Sequence, residues 1–315
     1  MTESTLNQLI VSDVGLLAVV QDQGRFGYLD SGITQGGAID GFAYRLGQRL
    51  VGNSLSAAAI EITLAGFRCC FSHDTSIAVT GADAAIAIDG HDKPMNTTLF
   101  VRSGSELTIG HSQHGVYSYL SIAGGVRSEP VLGSRSVVMR DGIGANLCPG
   151  DSVPYGDIGP CLSAYQYAAP PRTESQLNLR YIPGFQTELI SNAVVDTFHN
   201  TRFSVGHNRD RMGIRLSGPA VNTGVSKLWS ESTCLGAIQI PPDGQPIVLL
   251  ADRQTVGGYP KLGAVLSVDC ARLSQASIGT PVKFTAVDPT EADRILWLVK
   301  NYEAELKLAK LRSSL

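Results

Sequence analysis

Charge is scarce in this chain of 315 residues: Asp, Glu, Lys and Arg make up only 17% of it, and the net balance is −3. Lys and Arg are scattered, so the chain lacks the basic footprint by which a protein meets a nucleic-acid backbone. No apolar run approaches the roughly 20 residues that span a bilayer. The opening MTESTLNQLI has neither the basic n-region nor the long apolar h-region of a secretory leader. These absences predict a cytoplasmic protein with no nucleic-acid and no membrane partner. Six cysteines (Cys69, Cys70, Cys148, Cys161, Cys234, Cys270) form no CxxC pair, which suits reduced thiols packed as small hydrophobes and indicates neither a zinc nor a redox site. Also missing are the GxxxxGK[ST] phosphate loop, a GxGxxG after a strand, HExxH and the GxSxG elbow. If a nucleotide or phosphate is handled, another device must hold it.

What the chain has is apolar content of 43% and 34 glycines, set between short runs rich in Val, Ile and Thr. That is the pattern of strands and turns, and it predicts a mainly β protein with enough length for two cores. The first region carries expected strands at Leu16 to Gln21, Ala59 to Leu64, Thr75 to Thr80, Ala85 to Asp89, Glu106 to Ile109 and Tyr117 to Ile122. One helix interrupts it, capped by Asp40, with Phe42, Ala43, Leu46 and Leu50 on one face and Gly52-Asn53 as its stop. From Gly156 to Leu177 the pattern weakens into a linker with Pro170-Pro171 and the polar run Arg172 to Gln176. This places a domain boundary near residue 170, dividing 1–170 from 171–315. Strands resume at Leu179 to Ile182, Phe203, Ile214 to Leu216, Ala237 to Ile240, Ile247 to Leu250, Val265 to Val268 and Val282 to Phe284. A final helix follows, with Asp288 as cap, Pro289 at its first position, Glu291 three residues past the cap, and a packing stripe of Ile295, Leu296, Val299, Tyr302 and Leu306.

A weak internal echo relates the halves. Asp22-QGRF-Gly27-Tyr28 resembles Asp252-RQTVG-Gly258-Tyr259, and Pro149-Gly-Asp-Ser-Val153 resembles Ile278-Gly-Thr-Pro-Val282; chance similarity of glycine-rich turns competes with duplication. His111 and His114 fall between two expected strands with no acidic or thiol neighbour in sequence, so they read as a loop pair without metal.

Three polar clusters beside glycines suggest where donors converge on a small anionic or carbonyl-bearing ligand. They are Gln21 to Arg25 with Gly36 to Asp40, then Asn208 to Gly213 with Arg215, and lastly Gln239, Asp243, Gln245 and Asp252 to Thr255, leading into Gly257-Gly258-Tyr259-Pro260-Lys261. For Asp40 the helix cap suffices as explanation, and Asp-Arg neighbours can simply pair across a turn. Asp252 to Tyr259 reads as functional because it follows a buried-looking strand directly. Arg25, Arg211 and Arg253 can grip a carboxylate or phosphate in bidentate fashion. Asp252, Asp22 and Asp210 can act as base or orient an amide. Gln239 and Gln254 can read a lactam or ureido group, since an amide both donates and accepts. Thr255, Gly257, Gly258 and Tyr259 complete the expected substrate set, with Asp252, Arg211 and Arg25 as the catalytic candidates.

The succession VVQDQGRFGY, GGAIDGFAYRLGQRLVGN, AIEITLAG, AVTGAD, YLSIAGGV, LGSRS, PGDSVP, NRDRMGIRLSGP and GAIQIPPDGQPIVLLADRQTVGGYPKLGAV is similar to the family of 5-oxoprolinase C subunits and of the carboxyltransferase domain of urea carboxylase. The resemblance runs from about Val14 to Phe284 in unbroken order. It implies two tandem cyclophilin-like β-barrel domains with a C-terminal helix. A stand-alone chain of this kind resembles the component that works with the B and A subunits, inactive alone, in ATP-dependent opening of 5-oxoproline to glutamate, ATP being used with those partners and Mg. The same family implies an alternative, a biotin-dependent carboxyltransferase acting on urea or a similar small amide, and a further one, a regulatory protein antagonising a kinase inhibitor. Arg209 stands where many relatives have Ser, a departure that bears on substrate more than on family.

Overall fold

A computed structural model describes residues 7–161, 163–168, 176–225 and 228–311. The expected linker's core, Pro170-Pro171 with Arg172 to Ser175, and the first six residues lie outside this set. By contacts the chain forms two compact units, one of Met1–Arg25, Gly36–Pro171 and Lys307–Leu315, the other of Phe26–Gln35 and Arg172–Leu306.

The first unit is a nine-stranded sheet folded round an apolar core. Its elements are β1 (Asn7–Val14), β2 (Leu17–Gln21), α1 (Gly41–Leu50), β3 (Ala59–Thr63), β4 (Ala65–Phe71), β5 (Thr75–Ile88), β6 (His91–Lys93), β7 (Leu99–Val101), β8 (Glu106–Ile122) and β9 (Ser152–Tyr155). A short β10 (Tyr165–Gln166) pairs outside the main sheet. The strand order is β2-β3-β8-β4-β1-β9, with β5 on β8 and carrying β6 and β7. Alternation in β4, where Phe67, Cys69 and Phe71 are buried and Arg68 is exposed, shows why such runs become half-buried strands. Helix α1 forms as expected: the Asp40 carboxylate accepts from the Ala43 N–H at 3.1 Å, a cap of about 1 kcal/mol.

Two expectations are corrected here. Thr75 to Thr80 and Ala85 to Asp89 are one strand, β5, and Glu106 to Ile109 and Tyr117 to Ile122 are likewise one, β8. His111 and His114 therefore sit within β8 and not in a loop. The register between β5 and β8 shifts between Gly81 and Ile86. Bulges absorb the extra residues; Gly81, at φ +99°, lies where a Cβ would come within 2.4 Å of the Tyr117 carbonyl oxygen.

The second unit contains β11 (Leu177–Pro183), α2 (Asn192–Asn200), β12 (Phe203–Arg209), β13 (Gly213–Ser217), β14 (Glu231–Ser232), β15 (Ala237–Gln239), β16 (Ile247–Leu249), β17 (Val256–Gly257), β18 (Lys261–Val265), α3 (Ser267–Ser274), β19 (Pro281–Ala286) and α4 (Pro289–Glu305). Seven strands close a barrel in the order β11-β18-β15-β16-β13-β12-β19, sealed by the parallel β11–β19 pair, while β14 and β17 form a separate ribbon. Leu179, Tyr181, Phe203, Val205, Leu216 and Phe284 are buried, and Phe198 from α2 stacks on Phe284 with centroids 4.6 Å apart. The last strand, β20 (Ala309–Lys310), belongs to the first unit, against β10.

Val265 to Val268 is not a strand: β18 ends at Val265 and α3 begins at Ser267. The reason is Asp269, fully buried and bound by the N–H and guanidinium of Arg180 and by Arg272 on the same helix. Helix α4 has the expected Asp288 cap, accepting from Glu291 N–H at 2.9 Å. Its stripe packs less than expected: Leu306, just past the helix, is buried, but within Pro289–Glu305 the buried residue is Ala292, outside the stripe, and Tyr302 is 54% exposed.

The echo between halves has a structural counterpart. In the first unit Val11 N–H donates to Asp151 O and Gly150 N–H to Val11 O; in the second Val205 N–H donates to Thr280 O and Gly279 N–H to Val205 O. The two similar turns thus fasten a strand by the same reciprocal pair of bonds.

Candidate functional site

In the second unit the chain leaves β16 and is at once tied to the β12–β13 turn. Leu250 N–H donates to Met212 O and Asp252 N–H to Arg211 O, both at 2.8 Å. Arg211 then grips Asp252 through both forks, Nε to Oδ2 at 2.8 Å and Nη2 to Oδ1 at 2.9 Å, with side chains only 9% and 8% exposed. A guanidinium and a carboxylate so buried have to satisfy each other, and a bidentate pair does so with fixed geometry. Asp210 is exposed and closes the same turn, accepting from Met212 and Gly213 N–H.

The loop after Asp252 is built from polar backbone ties. Arg253 is buried, its carbonyl accepting from Thr34 Oγ1 at 3.2 Å. Burial pulls its guanidinium below the ordinary value. Thr233 N–H donates to Thr255 O and the Thr233 hydroxyl to Gln254 O. Gln254 Nε2 donates to Gln239 Oε1 at 3.2 Å. The amide of Gln239 is almost fully buried, and its Nε2 has no acceptor. It lies where Gly257 has no side chain, 2.4 Å from the place a Cβ would occupy. Gly258 follows, then Tyr259, 45% exposed.

Beside this pair lies a network not anticipated from sequence. Glu231 Oε2 accepts from Gln186 Nε2 at 2.7 Å and from Lys261 Nζ at 2.9 Å, while Lys261 N–H donates to Gln186 Oε1 at 2.7 Å. Gln186, Ser232, Cys234 and Lys261 line a cavity of about 340 Å³. Lys261 adjoins the glycine pair and carried a signal; Gln186 and Glu231 come from distant, unremarkable runs.

Asp22 and Arg25 belong to the first unit. The Asp22 carboxylate accepts from Gly24 N–H, the Ser134 and Ser136 hydroxyls and Arg135 N–H, at 2.6 to 2.8 Å. Arg25, 2% exposed, donates from Nη2 to Ser136 O. LGSRS is thus the counter-surface of the first polar cluster. Nearby, Glu61 Oε2 accepts from Ile39 N–H and from the Tyr119 hydroxyl, and that hydroxyl accepts from Asp40 N–H. Burial, with Glu61 beside it, pushes the Tyr119 phenol well above its usual range, so it remains a donor. Among the described residues no group of three or more His, Cys, Asp or Glu is placed to hold a metal ion.

Taken by chemistry, the second unit offers a rigid ion pair, two facing amides with a spare N–H, and a Lys–Glu pair at a cavity: a set suited to a small carbonyl-bearing molecule. This mainly β, barrel-based chain belongs to the carboxyltransferase domain family, subdomain A and B, whose match covers residues 31–286. Among individual proteins it is 35% identical to the 5-oxoprolinase C subunit of Escherichia coli (strain K12), over 88% of this chain and 91% of that one. It is 33% identical to the 5-oxoprolinase C subunit of Haemophilus influenzae, over 90% and 93%. In structure it resembles the urea carboxylase of Kluyveromyces lactis, with a TM-score of 0.86 and 25% identity, covering 95% of this chain but only 29% of that larger one.

Proposed function

We propose that this chain is the C subunit of a cytoplasmic, ATP-dependent 5-oxoprolinase, which acts with the B and A subunits to open 5-oxo-L-proline to L-glutamate and is inactive alone. The observation that carries this reading is similarity along nearly the full length of two proteins named for that subunit. Among the described residues no helix is long and apolar enough to cross a membrane.

In this reading the Arg211–Asp252 pair orients the loop that carries Gln254 and Thr255, Gln239 and Gln254 read the lactam amide, and Arg211 supplies positive charge where oxygen becomes anionic. Lactam opening adds water across the ring C–N bond. The spare Gln239 N–H is the kind of donor a lactam carbonyl takes. Helix α1, which follows the pair Gly36-Gly37, offers a triphosphate little. The amides at the start of α1 already face Asp40 and Glu61 oxygens, which a phosphate would repel. In this reading nucleotide binding falls to the partner subunits. The test is reconstitution: the isolated chain should release no glutamate from 5-oxoproline, and adding it to the A and B subunits with ATP should restore release. A complete mixture that stays silent refutes the reading.

The family match and the fold shared with urea carboxylase favour a second reading, carboxyl transfer from biotin to urea or a similar small amide. The ureido ring of biotin presents the same carbonyl and N–H pattern to Gln239 and Gln254. Avidin distinguishes the readings, since it abolishes a biotin-dependent activity and leaves lactam opening untouched.

A further inference from the structure

The Ser134-Arg135-Ser136 segment has two faces. Its hydroxyls and the Arg135 N–H are turned to Asp22. The Arg135 side chain instead lines a cleft of about 400 Å³ in the first unit, walled by Val20, Val137, Ile143, Leu147 and Val153. A half-buried arginine in apolar surroundings normally meets a carboxylate. Among the described residues Arg135 makes no ion pair, and its Nε is buried without an acceptor. Ser128 lines the same cleft, and its Oγ is also buried without a partner. Two donors left without acceptors at one cavity call for a ligand that brings acceptors.

The planar fork of a guanidinium matches a carboxylate or a phosphate. Two observations choose between them. Glu129 and Asp151 share the cleft, so a phosphate dianion would face like charge where a singly charged carboxylate is repelled less. The remaining wall is aliphatic and accepts an apolar body, and the volume lies in the range of small-molecule sites, roughly 300–1,000 Å³. We propose that this cleft binds a small organic monocarboxylate, with Arg135 gripping the carboxylate and Ser128 adding a hydrogen bond. The site does not rest on the reaction proposed above, and neither residue has a role there.

The experiment is titration calorimetry of the full chain with butyrate, 5-oxo-L-proline and inorganic phosphate in turn, on the wild type, Arg135→Gln, Arg135→Lys and Ser128→Ala. At least one carboxylate should bind at one site per chain and more tightly than phosphate. Arg135→Gln should weaken it roughly tenfold or more, as expected for losing a charge-assisted bidentate contact. Thermal melting reports whether each variant folds. If Arg135→Gln does not, Arg135→Lys carries the test, since an ammonium keeps the charge but lacks the fork and should bind several-fold more weakly. The proposal is overturned if neither carboxylate binds, if phosphate binds more tightly than both, or if folded Arg135 variants bind the carboxylate as the wild type does.

Discussion

Asp252→Asn exchanges one oxygen for an amide and leaves side-chain volume almost unchanged, so its consequences come from charge. Both carboxylate oxygens are held by Arg211 at 2.8 and 2.9 Å, and neither partner is more than a tenth exposed. Removing the charge leaves a buried guanidinium uncompensated, and breaking pairs of this kind costs about 3–5 kcal/mol. At roughly 2–4 °C per kcal/mol for a domain of this size, the melting midpoint should fall by roughly 6–20 °C. Urea denaturation followed by far-UV circular dichroism measures the loss, and Arg211→Met with Asp252→Leu should recover most of it by removing both charges together. In reconstituted enzyme that double variant should remain inactive, which separates the pair's part in function from its part in stability. A loss for Asp252→Asn below about 1 kcal/mol, the figure for an exposed pair, would refute the reasoning.

Gly257→Ala places a Cβ 2.4 Å from Gln239 Nε2; the amide must turn aside, so reconstituted activity should fall at least about tenfold for about 1 kcal/mol of stability, measured by initial rate and by melting. Burial pushes the Asp269 carboxyl up, but the hydrogen bonds from Arg180 and Arg272 outweigh it and hold it below the ordinary 3.8. The sign follows: the stabilisation is complete above that value and is lost as pH falls below it, so urea midpoints should be less acid-sensitive in Asp269→Asn than in wild type, while lower at neutral pH. Cys148 and Cys234 are exposed, whereas Cys69 and Cys270 are buried with thiols pushed up by burial. A disulfide-exchange reagent should therefore label the first two in the native protein and the last two only after unfolding.

Periodicity and caps were enough to determine that the chain is mainly β, where most strands run, and that Asp40 and Asp288 start helices, because these features depend on neighbours within a few residues. The Gln21 to Arg25 cluster and the Asp252 loop were visible as polar runs beside glycines. Their partners were not. That Asp22 is met by Ser134 and Ser136, Asp252 by Arg211, and Asp269 by Arg180 depends on pairings across 41 to 114 residues, and local pattern is blind to these. The same blindness carried the expected strand Val265 to Val268 into the first residues of α3, since that run is largely apolar and only the buried Asp269 requires the turn of helix that follows. Tertiary structure also decided that β5 and β8 run unbroken through their bulges, and it left Arg135 and Gln239 each with a buried N–H lacking an acceptor. Sequence supplied the residue types. The closing of the sheets decided which charges meet and which are left for a ligand, because desolvation acts on neighbours in space.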